Sequence, residues 1–234
     1  MVLEPPGLQE KIDALPEDLL RLAVSSFLFD DREKPTLNRK LPKLLELDIS
    51  DVAFRKIVLT QDTTPQLQGL KLHNAAPEDC HMEVSCPELR KVTLYHYESD
   101  VNPNAMNTML AAATKLEMFA SHKLWGGTTS LHFASPVLHT ITLHRADSLD
   151  HLSIWAPSLT ALDLSGCFSL DCIQFPKTHP LAVASPPKTK KAKQSLCVTI
   201  ANANLGDAAM QALKKHPRAR IVGDSDDDDD DDDF

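Results

Sequence analysis

The sequence predicts an α/β solenoid of about seven coils, each laying one short strand into a parallel face. Three observations lead there. A leucine phrase recurs at nearly constant spacing, and a second, proline-marked phrase is interleaved with it. The apolar 42% of the 234 residues is also mostly aliphatic, with only 5% of the chain aromatic. That mix suits a narrow, repetitive core better than a deep cofactor pocket. Sixteen prolines against seven glycines agree with it, because open α/β enzymes depend on glycine-rich ligand loops.

The leucine phrase is clearest in LTALDLSGCFSL (159–170), which fits LxxLxLxxCxxL throughout, and in LHTITLHRADSL (138–149), with Ile141 and Ala146 as variants. Looser copies start at Leu44, Leu67, Leu89 and Leu116, so successive starts lie 23, 22, 27, 22 and 21 residues apart. This is the period of leucine-rich repeats. Side chains alternate along a strand, so positions one, four and six point inward and the residues between them outward. Stacked coils then form a parallel sheet with one rung per repeat.

The second phrase reads apolar-x-apolar-x-x-Pro-x-Leu in MEVSCPEL (82–89), LHFASPVL (131–138) and LSIWAPSL (152–159), with IQFPKTHPL (173–181) a longer variant. It predicts that the return side of the later coils is extended too, with Pro136 and Pro157 at corners. One coil differs. Met106, Met109, Leu110 and Ala113 have helical spacing after Pro103, which predicts a helix in the 27-residue repeat. The last coil, 196–223, reads strand, turn, helix, strand, with Gly206-Asp207 before the helix and Lys214, Lys215 and His216 at its end. It resembles the LxLxxNxLGDxGxxxL segments of ribonuclease-inhibitor-like repeats, with Ala203 where Asn is usual.

Residues 41–181 also resemble the leucine-rich region of F-box proteins, through CPEL (86–89) and APSLTALDLSGCFSL (156–170). The N-terminal ALPEDLLRLAVSSFL (14–28) is similar to the opening helix of an F-box, although the later V-S/C-R-x-W helix of that domain is missing. Two readings stand for this segment. In one it is an amphipathic capping helix, started by Pro16-Glu17-Asp18, over the open end of the solenoid. In the other, as the resemblance implies, Leu15, Pro16, Leu19, Leu20 and Leu28 dock a Skp-type ubiquitin-ligase adaptor. The expected organisation is a cap over 1–40, a solenoid over 41–223 and an acidic tail over 224–234.

The outward strand positions are the candidate site. One column reads Ser50, His73, Tyr95, His122, His144 and Ser165; its neighbour reads Asp48, Lys71, Thr93, Ala120, Thr142 and Asp163. Lys71, His73, Thr93, Tyr95, His122, Thr142, His144 and Asp163 are the expected contacts for a protein partner. His122 and His144 fall on adjacent rungs, but a metal site would need a third ligand, and no metal or cofactor is expected. Cys80, His81 and Cys86 lack paired C-x2-C spacing and read as structural.

Two segments stand apart. SPPKTKKAKQS (185–195) is a solvated loop in which Lys190, Lys191 and Lys193 fit K-K-x-K, the form of a nuclear import signal. Residues 224–234 carry nine aspartates, and Ser225 is followed directly by Asp226, Asp227 and Asp228 as acidophilic kinases prefer. Such a tail cannot bury enough to fold. It would serve solubility, or shield basic partners such as histones. The tail also accounts for the net charge of −9, since 24 acids face 24 Lys plus Arg elsewhere. A neutral body with an acidic tail does not predict nucleic-acid binding.

Phosphate-loop, nucleophile-elbow, H-E-x-x-H and dinucleotide motifs are all absent from the sequence, so no catalytic residue is expected. The first residues lack the basic start and apolar run of a signal peptide, and no stretch is apolar enough to span a bilayer. Five cysteines without a framework pattern point to a reducing compartment, nucleus or cytoplasm. The function expected is a non-enzymatic scaffold or adaptor. The alternatives are a ubiquitin-ligase substrate receptor and an acidic-tail chaperone for basic nuclear proteins.

Overall fold

Each leucine phrase becomes a short strand, because alternate burial of aliphatic side chains favours a pleated, half-buried segment. The computed structural model describes residues 1–3, 7–25, 34–74, 80–98, 103–125, 128–177 and 195–223, with the backbone alone at 96–98, 103 and 125. In chain order the elements are β1 (Val2–Leu3), α1 (Leu8–Asp13), β2 (Arg21–Ser25), β3 (Thr36–Leu37), β4 (Glu46–Ser50) and β5 (Lys56–Thr60). Then come β6 (Gly69–His73), β7 (His81–Ser85), β8 (Lys91–Glu98), α2 (Pro103–Ala112), β9 (Met118–Trp125), β10 (Ser130–Ala134) and β11 (Thr140–His144). The chain continues through β12 (His151–Trp155), β13 (Ala161–Asp163), β14 (Cys172–Gln174), β15 (Leu196–Thr199), α3 (Asp207–Lys215) and β16 (Ala219–Val222).

The fold is α/β and dominated by parallel strands. Ten of them form one sheet in the order β1-β2-β4-β6-β8-β9-β11-β13-β15-β16. The elements between them form two three-stranded sheets, β3-β5-β7 and β10-β12-β14. Helix α2 packs against both β7 and β10, and α3 against β14. The first positions of the phrase, Leu44, Leu67, Leu89, Leu116, Leu138 and Leu159, are all buried in one continuous core. Burying each such side chain stabilises by about 1.5–3 kcal/mol.

The helix expected over 14–28 is not found in the described part of that segment, and Leu28 lies outside the described residues. Residues 14–25 hold no helix: the chain turns after Leu15 and runs as β2, paired with β4 from Arg21↔Glu46 to Ser25↔Ser50. Leu19, Leu22 and Val24 follow the LxxLxL spacing, and the last two are buried. The edge of β4 thus recruits this segment, and a strand match outweighs a helix-like start. Leu15 is buried, and only Leu20 is left exposed among the leucines of 14–25. Extended return segments also begin earlier than the later coils, at β3 and β5.

Where a helix takes the place of a strand, the neighbouring strand edge loses its ladder partner. A carboxamide replaces it. Asn107 of α2 accepts from the backbone N–H of His132 at 3.0 Å and donates to the carbonyl of Ser130 at 3.0 Å. On α1, Gln9 does the same for Thr36, accepting at 2.7 Å and donating at 3.3 Å. A Leu at 107 removes both of these hydrogen bonds from the edge of β10. We expect Asn107→Leu to cost about 1–3 kcal/mol, read as a shift of the urea midpoint.

The start of α3 is tight. Gly206 donates its N–H to the carbonyl of Leu170, and a Cβ there would lie 2.5 Å from Asp171 Oδ1 and 3.0 Å from Asp171 Cα. Gly206→Ala must therefore push two segments apart. Thermal unfolding should show a loss of roughly 1–3 kcal/mol; an unchanged midpoint would mean that the close approach relaxes freely.

Candidate functional site

The parallel pairing puts the outward residues of successive strands side by side. Ser25, Ser50, His73, Tyr95, His122 and His144 pair rung to rung through β2, β4, β6, β8, β9 and β11. Two residues back, Ala23, Asp48, Lys71, Thr93, Ala120, Thr142, Asp163 and Thr199 form a second column. The eight candidate contacts therefore lie on one face, most of them half-buried and Lys71 exposed. Ala23 and Ser25 extend the two columns but escape a reading that makes 14–28 a helix. The signal that finds them is the spacing of Leu19, Leu22 and Val24.

Four rings stack along the first column. His73 meets Tyr95 edge-on, with centres 5.7 Å apart. Tyr95 and His122 lie nearly parallel, 9° between planes and 4.7 Å between centres. His122 and His144 are tilted by 38° at 5.6 Å. Stacking of this kind adds about 0.5–1.5 kcal/mol per aromatic pair beyond area burial, and it fixes rings that would otherwise rotate.

Charges bracket the ladder. Lys71 Nζ donates to Asp48 Oδ2 at 3.1 Å, and Asp48 Oδ1 accepts from Ser50 Oγ at 3.1 Å. At the other end Asp163 Oδ1 accepts from both the backbone N–H and the hydroxyl of Ser165. His73 Nδ1 lies 3.6 Å from Asp51 Oδ2. Left-handed residues follow directly after the column: Asp51, Asn74, Arg145 and Gly166, where the chain leaves the sheet, and Lys123, which lies within β9. Asp, Asn and Gly accept this conformation readily, and Asn74 Nδ2 donates to Asp51 Oδ1 at 2.8 Å, tying two exits together.

Burial holds the His122 imidazole below its ordinary pKa of 6.5; the His144 ring lowers it further, and Asp163 offsets part of the shift. Tyr95 from β8 and His144 from β11 flank this ring, and Asp163 of β13 is the carboxylate that acts on it. The folded state therefore binds fewer protons than the unfolded chain just below pH 6.5. Its contribution to stability is present above that pH and lost as pH falls. Between pH 7.5 and 5.5 the urea midpoint should fall less in His122→Gln than in the unsubstituted protein. An equal fall in both would remove this ring from the pH dependence.

Directly beneath the stack the core changes composition. Ser121 occupies the inward position that Leu94 and Leu143 fill on either side, and its hydroxyl is buried without a hydrogen-bond partner. Phe119, two residues earlier, supplies the missing bulk and meets Phe133 edge-on at 5.1 Å. An unpartnered buried hydroxyl costs about 1–3 kcal/mol. Ser121→Ala should therefore be neutral or stabilising by chemical denaturation, and a loss above about 1 kcal/mol would show that the hydroxyl is satisfied.

The remaining candidates separate cleanly. Cys80 and Cys86 are buried while His81 is exposed on β7, so the three do not converge. The Cys86 thiol donates to the Leu59 carbonyl at 3.3 Å and Cys167 to that of Leu143 at 3.1 Å. Burial raises both thiols, that of Cys167 to about 11, which keeps them protonated and unreactive at neutral pH. Among the described residues no three His, Cys, Asp or Glu side chains group as metal ligands. Lys190, Lys191, Lys193, Ser225 and the tail 224–234 lie outside the described residues. Among those described, no helix is long and apolar enough to cross a membrane. The chain matches no family model, no curated protein and no solved structure.

Proposed function

We propose that this chain is a leucine-rich-repeat solenoid acting without catalysis, as a scaffold or adaptor that docks a protein partner on its ten-stranded face. The observation that carries this reading is the ring ladder His73–Tyr95–His122–His144, half-buried and in register on an open sheet. Rings already stacked lose little conformational freedom on binding, and Tyr is among the residues that dominate interface energies. From Ser50 to Ser165 the column has six positions separated by five spacings of about 4.8 Å, roughly 24 Å, which is comparable with the width of a patch of about 800 Å² per partner. The open, shallow geometry favours a folded or extended protein over a small substrate, which needs a concave site.

The test is comparative affinity capture with the full chain and its Tyr95→Ala/His122→Ala variant, both checked for unchanged secondary structure. A partner held by the unsubstituted chain and lost from the variant supports the strand-face reading; an identical set of captured proteins rejects it. A Skp-type adaptor is the less favoured partner, because Leu15, which would have to contact it, is only 1% exposed within this chain and Leu19 is packed against the core. The reading as a chaperone for basic nuclear proteins rests on residues 224–234 alone.

A further inference from the structure

A concave feature is built from residues outside the ring ladder. Where the end of β12, the stretch after β14 and the end of α3 come together, a cleft of about 450 Å³ opens, lined mainly by apolar groups. Trp155, Pro157 and Phe175 make its wall, and the His216 ring stacks on Phe175 with centres 4.4 Å apart. Lys177, Lys215 and Arg218 also line it, and no carboxylate does among the described residues. Arg218 is held in place, Nη1 donating to the Pro157 carbonyl at 3.2 Å. Three cations around an aromatic floor are conspicuous in a body whose acids and bases otherwise balance.

We infer that this cleft is the docking site of the chain's own acidic segment 224–234, with the Phe234 ring on the aromatic wall and aspartates against Lys177, Lys215 and Arg218. Sequence and structure supply complementary halves. The segment carries nine aspartates followed by one aromatic residue, and the cleft offers cations beside an aromatic surface. Reach allows it. The cleft includes His216, Pro217 and Arg218, and β16 then carries the chain only about 13 Å further before residue 224. Eleven residues extend up to roughly 36–40 Å, enough to turn back along β16 to its start. Tethering makes the encounter intramolecular, at an effective concentration in the millimolar range for a short flexible connection. The lysine-rich stretch 185–195 competes for the aspartates, but its sequence holds no aromatic residue to meet the Phe234 ring.

The test is carbodiimide cross-linking of the full-length chain, which joins a lysine amine to a carboxylate in direct contact. The expected product, at monomer mass, links Lys177 or Lys215 to an aspartate of 224–234. Its yield should fall about tenfold in Phe234→Ala, the weight of one buried phenyl ring. It should also fall in 0.5 M salt, which screens exposed charges. Mixing heavy-isotope and ordinary chains separates sources: links between the two labels mean a second copy supplies the acid, and overturn the proposal. Links from the segment only to Lys188–Lys193, or none to Lys177 and Lys215, overturn it as well. None of these outcomes bears on the strand-face reading, which uses other residues.

Discussion

Phe119→Ala will destabilise the protein by about 3–5 kcal/mol, the range for truncating a fully buried aromatic side chain. The ring is wholly buried, sits sixth in the ten-strand order on β9, and pairs across to Val92 and Ile141. Its inward neighbour two residues on, Ser121, is already small and cannot fill the void. The edge contact with Phe133, which ties the large sheet to β10, goes as well. Each strand of a stacked array touches only its neighbours, so a defect at its centre also uncouples the two ends. Urea unfolding followed by circular dichroism should therefore show a lower midpoint and a reduced slope or two steps. A shift below about 1 kcal/mol with unchanged slope would mean that the core is not continuous through β9.

Tyr95→Ala will have the largest effect on partner binding, weakening it by about 2 kcal/mol or more, roughly thirtyfold. Tyr95 is central: it touches His73 by its edge and His122 by its face. Removing it takes away the largest ring and frees both neighbours to rotate. His122→Ala should cost less, and Thr93→Ala little, since Thr93 lies in the adjacent column outside the stack. The measurement is titration of the captured partner against each variant by calorimetry. Equal affinities across the three would place the binding energy elsewhere. Substitutions on the small sheet β10-β12-β14, such as His132→Ala and His151→Ala, serve as controls and should leave affinity unchanged.

The periodic parts were legible because period and burial are one constraint. In-phase leucines can be buried together only by stacking in register, so His122 falls beside His144 once Leu116 and Leu138 are aligned. Met106, Met109, Leu110 and Ala113 gave α2 in the same way. Residues 14–25 misled because Pro16-Glu17-Asp18 starts a helix and ends a turn equally well. Only the edge of β4 decides between them, and that is a tertiary fact. Gln9 and Asn107 were unreadable for a related reason: each amide answers a strand edge more than 20 residues away. Rung spacing places rings side by side, but the 9° and 38° tilts come from rotamers that packing selects. The cleft near Trp155 has no sequence signal, because its walls come from three separate segments.

Histidines provide an internal control for the central claim, that the ten-stranded face is the binding surface. His73, His122 and His144 lie on that sheet, whereas His81, His132 and His151 lie exposed on the two smaller ones. Diethylpyrocarbonate labelling, read by mass spectrometry with and without bound partner, compares the two sets in one sample. Protection of His73, His122 and His144 with His81, His132 and His151 unchanged is the predicted result. Protection of the second set, with the first still reactive, would contradict it.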